Sequence, residues 1–188
     1  MFLLSPARCG GPRAAQLATS ERSELGARLR AEGAAIGDVF AWLSALYFRG
    51  KLAYARAFGE GLVMAPGAGL VAAAAPIRAA ELRAMGAIDI ESAAFAAPLR
   101  RDAEALARTG TERVVLLGSI ATGKYVDVLE QRLDGRLHFP AEFVGRGDMS
   151  RGGLMLRAAR DGEELAYAPV AGAVRRGARP PKLPKLPR

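Results

Sequence analysis

Histidine and cysteine are almost missing from this chain: 188 residues hold one of each, His138 and Cys9. A single cysteine excludes an intramolecular disulfide framework and fits a reducing cytoplasm, so a cytoplasmic protein is expected. One Cys and one His supply too few ligands for a zinc site, and neither a metal nor a cofactor is expected. A Ser–His or Cys–His nucleophile pair requires Ser5, Cys9 or Ser119 to meet His138 in space, and a triad needs three groups in register. Long apolar runs are missing too. There is no stretch of 18 consecutive apolar residues, which argues against a transmembrane helix and a membrane partner. Met1-Phe-Leu-Leu is apolar for only four residues before Ser5-Pro6 and has no basic leader. It reads as a first strand rather than a signal peptide. No internal repeat is visible. Lysine is scarce as well: Lys51, Lys124, Lys182 and Lys185 are the four in the chain.

What is present is apolar substance and uneven charge. Apolar residues make up 51% of the chain, enough to exclude disorder over most of its length. The length suits one domain with a real core. The net charge is +8, yet six of the 27 basic residues lie in residues 175–188, which hold no acidic one. Without them 21 basic residues face 19 acidic ones, so the body is nearly neutral. Pro180, Pro181, Pro184 and Pro187 make that tail extended. The division expected is a single domain over 1–174 and a disordered basic, Pro-rich tail over 175–188.

The chain is organised around Arg113-Val-Val-Leu-Leu-Gly-Ser-Ile-Ala-Thr-Gly-Lys-Tyr125. Val114 to Leu117 suits a strand covered on both faces, and Lys124 opens an amphipathic segment reaching Leu133. In a parallel α/β sheet such a strand–loop–helix junction is where ligands bind, because loops at the carboxyl ends form a crevice and helix N–H groups attract anions. Gly118, Ser119, Thr122, Gly123 and Lys124 fit the spacing G-x-x-x-x-G-K. A P-loop then places Ser or Thr, and this chain has Tyr125. Anion capture by the loop amides and a plain turn both remain open. A second Gly-bearing loop, with Ser5, Cys9, Gly10 and Gly11, follows the first strand. The expected fold class is α/β, with a largely parallel central sheet flanked by helices and a C-terminal hairpin.

Between these loops, Ser20-Glu21 is expected to cap a helix ending near Gly33. Asp38 suits the start of a helix carrying Val39, Phe40, Trp42, Leu43, Leu46 and Tyr47 inward, with Gly50 as a break or a close approach. Tyr47 beside Arg49 and Lys51 offers an aromatic face and two cations to a ligand. The competing reading is a core tyrosine with two solvated basic groups behind it. Pro98 is expected in the first turn of a further helix. Pro140 to Gly153 reads as a long Gly-rich loop, and long loops inside compact domains are usually functional. It brings Arg146, Asp148, Ser150 and Arg151, two arginines able to grip phosphate or carboxylate. Asp148 or Glu142 is the carboxylate an enzyme would use as general base, and an Arg–Asp pair that only shapes the loop is the plainer alternative. Leu154–Ala158 and Leu165–Val170 around Arg160-Asp-Gly162 give a hairpin signal.

Leu4-Ser-Pro-Ala7 after a first strand, then Leu46-Tyr47, Gly50 and Gly69-Leu-Val71, resemble landmarks of the YaaA-like superfamily over residues 2–77. The resemblance implies an α/β fold that binds DNA, associated with oxidative-stress protection. The chain departs where those proteins carry Lys-Thr, having Arg8-Cys9. Strand, Gly loop, helix and a late Gly/Ser-rich loop also resemble the shape of uracil-DNA glycosylases, without their histidine motif. The function expected is binding of nucleic acid or a nucleotide through Gly-rich basic loops. The alternatives are an enzyme acting on a nucleoside or nucleobase, and a module docking a protein partner through its Pro/Lys tail.

Overall fold

A computed structural model describes residues 1–121 and 123–183. The chain opens with strand β1 (Phe2–Leu4), fully buried. It continues through α1 (Pro12–Thr19), α2 (Glu24–Ala31), the short β2 (Ala34–Ala35), α3 (Ile36–Ser44) and α4 (Leu46–Phe58) to β3 (Gly61–Ala65). Then follow β4 (Gly69–Ala72), β5 (Pro76–Ile77), α5 (Ala79–Gly86) and α6 (Ala93–Arg108). The last third holds β6 (Val114–Leu117), α7 (Lys124–Leu133), β7 (Leu137–Pro140), a 3-10 turn over Ala141–Phe143, α8 (Asp148–Asp161) and β8 (Tyr167–Pro169).

The central sheet has the order β4-β3-β1-β6-β7-β8. β3, β1, β6 and β7 are parallel, and β4 and β8 pair antiparallel at the two edges. The α/β class, the single domain and the largely parallel sheet are those expected from the sequence. The reason is visible in β1 and β6. Both are short runs of large apolar residues that lose all contact with water, as strands covered on both faces must. Helices α4 and α8 pack together, as do α6 and α7. From β1 the chain crosses to β3 on one side, and from β6 it crosses to β7 on the other. The neighbours β1 and β6 therefore form a topological switch point, where their carboxyl-end loops part and leave a crevice.

Local structure departs from the expectations in four places. The helix expected to end near Gly33 is α2, capped by Ser23, which accepts the Gly26 amide at 3.1 Å, rather than by Ser20, and a further helix, α1, with Pro12 in its first turn, precedes it. Ala45, at φ 47°, separates α3 from α4, whereas Gly50 lies inside α4. Ser92 caps α6 through the Phe95 amide, so that helix begins earlier and Pro98 falls in its interior. The Gly-rich stretch is helical from Asp148, and Leu154–Ala158 belongs to α8. The antiparallel pair that ends the sheet uses β7 as its other arm, Phe139 opposite Ala168.

The glycines explain the second and fourth of these departures. A methyl group on Gly50 would stand 2.5 Å from the Gly152 carbonyl oxygen, and one on Gly152 would stand 2.6 Å from that of Leu46. The two glycines let the backbones of α4 and α8 touch. They mark a helix crossing, which a loop signal from one stretch of sequence does not reveal.

Candidate functional site

The crevice between β1 and β6 has a polar floor. Ser5 follows the last residue of β1 and is buried. Lys51, from the inner face of α4, is 1% exposed and donates to the Ser5 carbonyl oxygen at 3.0 Å and to its Oγ at 2.6 Å. The Tyr47 ring, one turn earlier, lies 3.9 Å from the ammonium, and the Phe48 ring lies at 5.2 Å. Ring faces attract a cation at such distances. Tyr125, buried in the first turn of α7, donates to the Ser119 carbonyl oxygen at 3.1 Å, and its hydroxyl and that of Ser5 both border Gly118. A methyl group at Gly118 would come within 3.0 Å of both the Ser5 and Tyr125 hydroxyls. Only a glycine lets the two strand-end loops close on one another there.

Helix α8 closes the site. Arg151 is buried, donates through Nε and Nη2 to the Phe143 carbonyl oxygen, and pairs at 3.5 Å with Asp148. Its charge acts on Tyr47, Lys51 and Tyr125. Burial pulls the Lys51 ammonium down to about 7, with Arg151 adding to the shift and Asp148 opposing it. Burial raises Tyr125 above its ordinary value. It raises Tyr47 as well, whose hydroxyl has no conventional hydrogen-bond partner among the described residues.

Ser5, Tyr47, Lys51, Gly118, Ser119, Tyr125, Asp148 and Arg151 are thus brought together. The reading of Lys51 as a solvated base on the far side of Tyr47 is corrected: it is the most enclosed charge of the group. The chain places arginine at nearly every surface cation and lysine at this one. That is the signal sequence reasoning had available, since a compact amine fits a buried slot that a guanidinium does not.

Other candidates lie elsewhere. Arg49 is on the opposite face of α4, lining a cleft of about 520 Å³ with Trp42 and Arg13. Cys9 donates to the Ala7 carbonyl oxygen and, with Gly10, borders a second cleft of about 560 Å³ that begins at Pro6 and reaches Ile90. Gly11 lies on an adjoining cleft against α5. Lys124 pairs with Glu91 at 3.4 Å, and with Gly123 it borders a further hollow reaching Ile90. Thr122 is outside the described residues. Glu142 is exposed on the 3-10 turn, where its carbonyl oxygen accepts from Arg146. His138 lies level with Val115, and so with Phe2, and bonds the Arg136 carbonyl oxygen. It is two strands away from Ser5, so Ser5 and His138 do not pair.

The other face of the α8 N-terminus is basic. Arg146, Gly147, Ser150, Arg157, Arg179 and Lys182 are among the residues lining a cleft of about 430 Å³ that has no acidic lining residue among the described residues. Arg146 donates to Ser150 Oγ at 3.3 Å and to the Pro181 carbonyl oxygen at 3.4 Å, tying this wall to the tail. Arg175 holds Asp127 and Glu130 of α7, and Leu183 packs against the core. Compared with protein-family models, curated proteins and solved structures, the chain shows no match.

Proposed function

We propose that this protein binds the phosphate groups of a nucleic acid or nucleotide, and that the cleft between α8 and residues 179–183 is where it does so. The observation that carries this reading is the lining itself: Arg146, Arg179, Lys182 and a helix N-terminus converge on one concavity with no carboxylate among its described lining residues. Helix amides and guanidinium groups are complementary to phosphate in geometry and charge. The exposed Met149 at the edge offers an apolar surface to a base or sugar. The resemblance to the YaaA-like superfamily points the same way. Two of the residues that carry it, Ser5 and Tyr47, meet around Lys51, and a third, Gly50, sits at the crossing that holds α8 in place.

The test is titration of the full chain with a DNA oligomer, a nucleoside triphosphate and inorganic phosphate across a salt series. Contacts with three or four phosphates give log K a slope of about −3 against log salt for the oligomer. The triple change Arg146→Gln, Arg179→Gln, Lys182→Gln is expected to flatten that slope and weaken binding at least tenfold. A nucleotide that binds as tightly as the oligomer narrows the ligand to the small molecule. Absence of binding to all three at about 50 mM salt, where phosphate contacts are strong, ends the proposal.

A further inference from the structure

Lys51 is costly where it stands. A buried ammonium loses its hydration, and no carboxylate among the described residues touches it in compensation. If its only task were to hold the Ser5 loop, a neutral donor would serve. What Lys51 does contact is a hydroxyl, Ser5 Oγ, at 2.6 Å. That hydroxyl stands at the switch point of the sheet, one residue before Pro6, which lines the 560 Å³ cleft. The hydroxyl has a single proton, and Lys51 Nζ is its hydrogen-bond partner among the described residues. When Lys51 is an ammonium, it donates to Ser5. When Lys51 is an amine, Nζ is itself the acceptor.

We propose that Ser5 is a nucleophile and Lys51 its general base, in the hydrolysis of an activated ester or amide that enters from the Pro6 side of the crevice. Ser5 Oγ attacks the carbonyl carbon and forms the C–O bond while its proton passes to Lys51 Nζ. The tetrahedral species expels its alcohol or amine, which takes that proton. Water then attacks the acyl-serine, gives a proton to Nζ, and frees the acid as Oγ recovers the proton. Tyr125, whose hydroxyl borders Gly118 as that of Ser5 does, is a positioning residue. The charged and titratable groups facing Lys51 are Asp148 and Arg151 of α8, Tyr47 of α4 and Tyr125 of α7. The proposal does not depend on phosphate binding, which uses a different face of α8.

The experiment treats the full chain with a fluorophosphonate probe and with p-nitrophenyl acetate from pH 5.5 to 9. Adducts are located by peptide mass mapping, and circular dichroism checks that every variant is folded. Labelling of Ser5 is expected, rising through a single step near neutrality. Ser5→Ala abolishes it, and Lys51→Met lowers its rate at least about 100-fold with the step gone, as loss of a general base requires. Ser5→Cys, nearly the same size, keeps an acyl burst on the ester and covers the case in which Ser5→Ala does not fold. Tyr125→Phe slows labelling without moving the step. No adduct at Ser5 with either reagent, or a rate at Ser5 indifferent to Lys51→Met, overturns the proposal.

Discussion

At the residue scale, Lys51 ties proton binding to folding. Burial holds its ammonium at about 7, against 10.5 ordinarily. Between those values the unfolded chain keeps a proton that the folded chain has released. Stability from this residue therefore rises with pH across that window, by up to about 1.4 kcal/mol per unit. Above pH 9 the trend reverses. There the Cys9 thiol, pushed up to about 12, and the raised Tyr47 and Tyr125 keep protons in the folded chain that the unfolded chain has lost. Urea midpoints at pH 6.5, 7.5 and 8.5 are expected to climb for the parent and to stay level for Lys51→Met. Parallel curves would show that Lys51 has an ordinary pKa. Lys124 presents the contrary case. Its pair with Glu91 is largely exposed, and exposed pairs contribute little. Lys124→Ala is expected to change the unfolding free energy by less than about 0.5 kcal/mol. The sequence marked both lysines as ligand-facing. Nothing near either in the chain distinguishes them, because Ser5 and Glu91 are brought to them only by the fold.

At the element scale, the Gly50–Gly152 contact sets how α4 meets α8. Helix propensity alone favours alanine at Gly50 by about 1 kcal/mol. The close approach opposes it, because the added methyl would meet backbone, which cannot rotate away. Gly50→Ala is thus expected to lower stability by about 1–3 kcal/mol, the range for an overfilled contact. Denaturant titration reads it, and a gain in stability would mean that the helices separate freely. This element pair also shows where sequence reading stops. β6 and α7 were legible because strand, loop and helix signals lie side by side in residues 113–133. α8 was not, because Gly145, Gly147, Gly152 and Gly153 carry the composition of a loop, and the reason for Gly152 is a helix about a hundred residues earlier. The same holds for the site. Its loops at Ser5 and Gly118 follow strands that are legible in the sequence, while the burial of Lys51 and Arg151 depends on that crossing.

At the scale of the whole molecule, residues 175–183 are part of the architecture, and the remaining residues of the basic tail lie outside the described ones. Arg175 bridges to two acids of α7, and Leu183 packs against the core. Ending the chain after Val174 is expected to lower the melting temperature by several degrees, since about 1 kcal/mol shifts a domain of this size by 2–4 °C. It also removes Arg179 and Lys182 from the basic cleft, so phosphate-dependent binding weakens in the same variant. A melting temperature and a salt slope both equal to the parent's would show that the segment neither packs nor binds.

The place of β1 in the sheet governs the order of events when the chain folds. Phe2 is aligned with Gly61 on one side and with Val115 on the other. The strand beneath the crevice therefore gains its second neighbour only when most of the chain is present. Partners so distant in sequence make loop closure the slow step. During synthesis the first-made strand waits with one edge unpaired until β6 leaves the ribosome, and the Ser5–Lys51–Tyr125 cluster is assembled only after that. A fragment ending before Val114 is expected to show helix in far-ultraviolet circular dichroism but no cooperative melting. A sharp transition in that fragment would mean that β1 and β3 fold as a unit before β6 arrives.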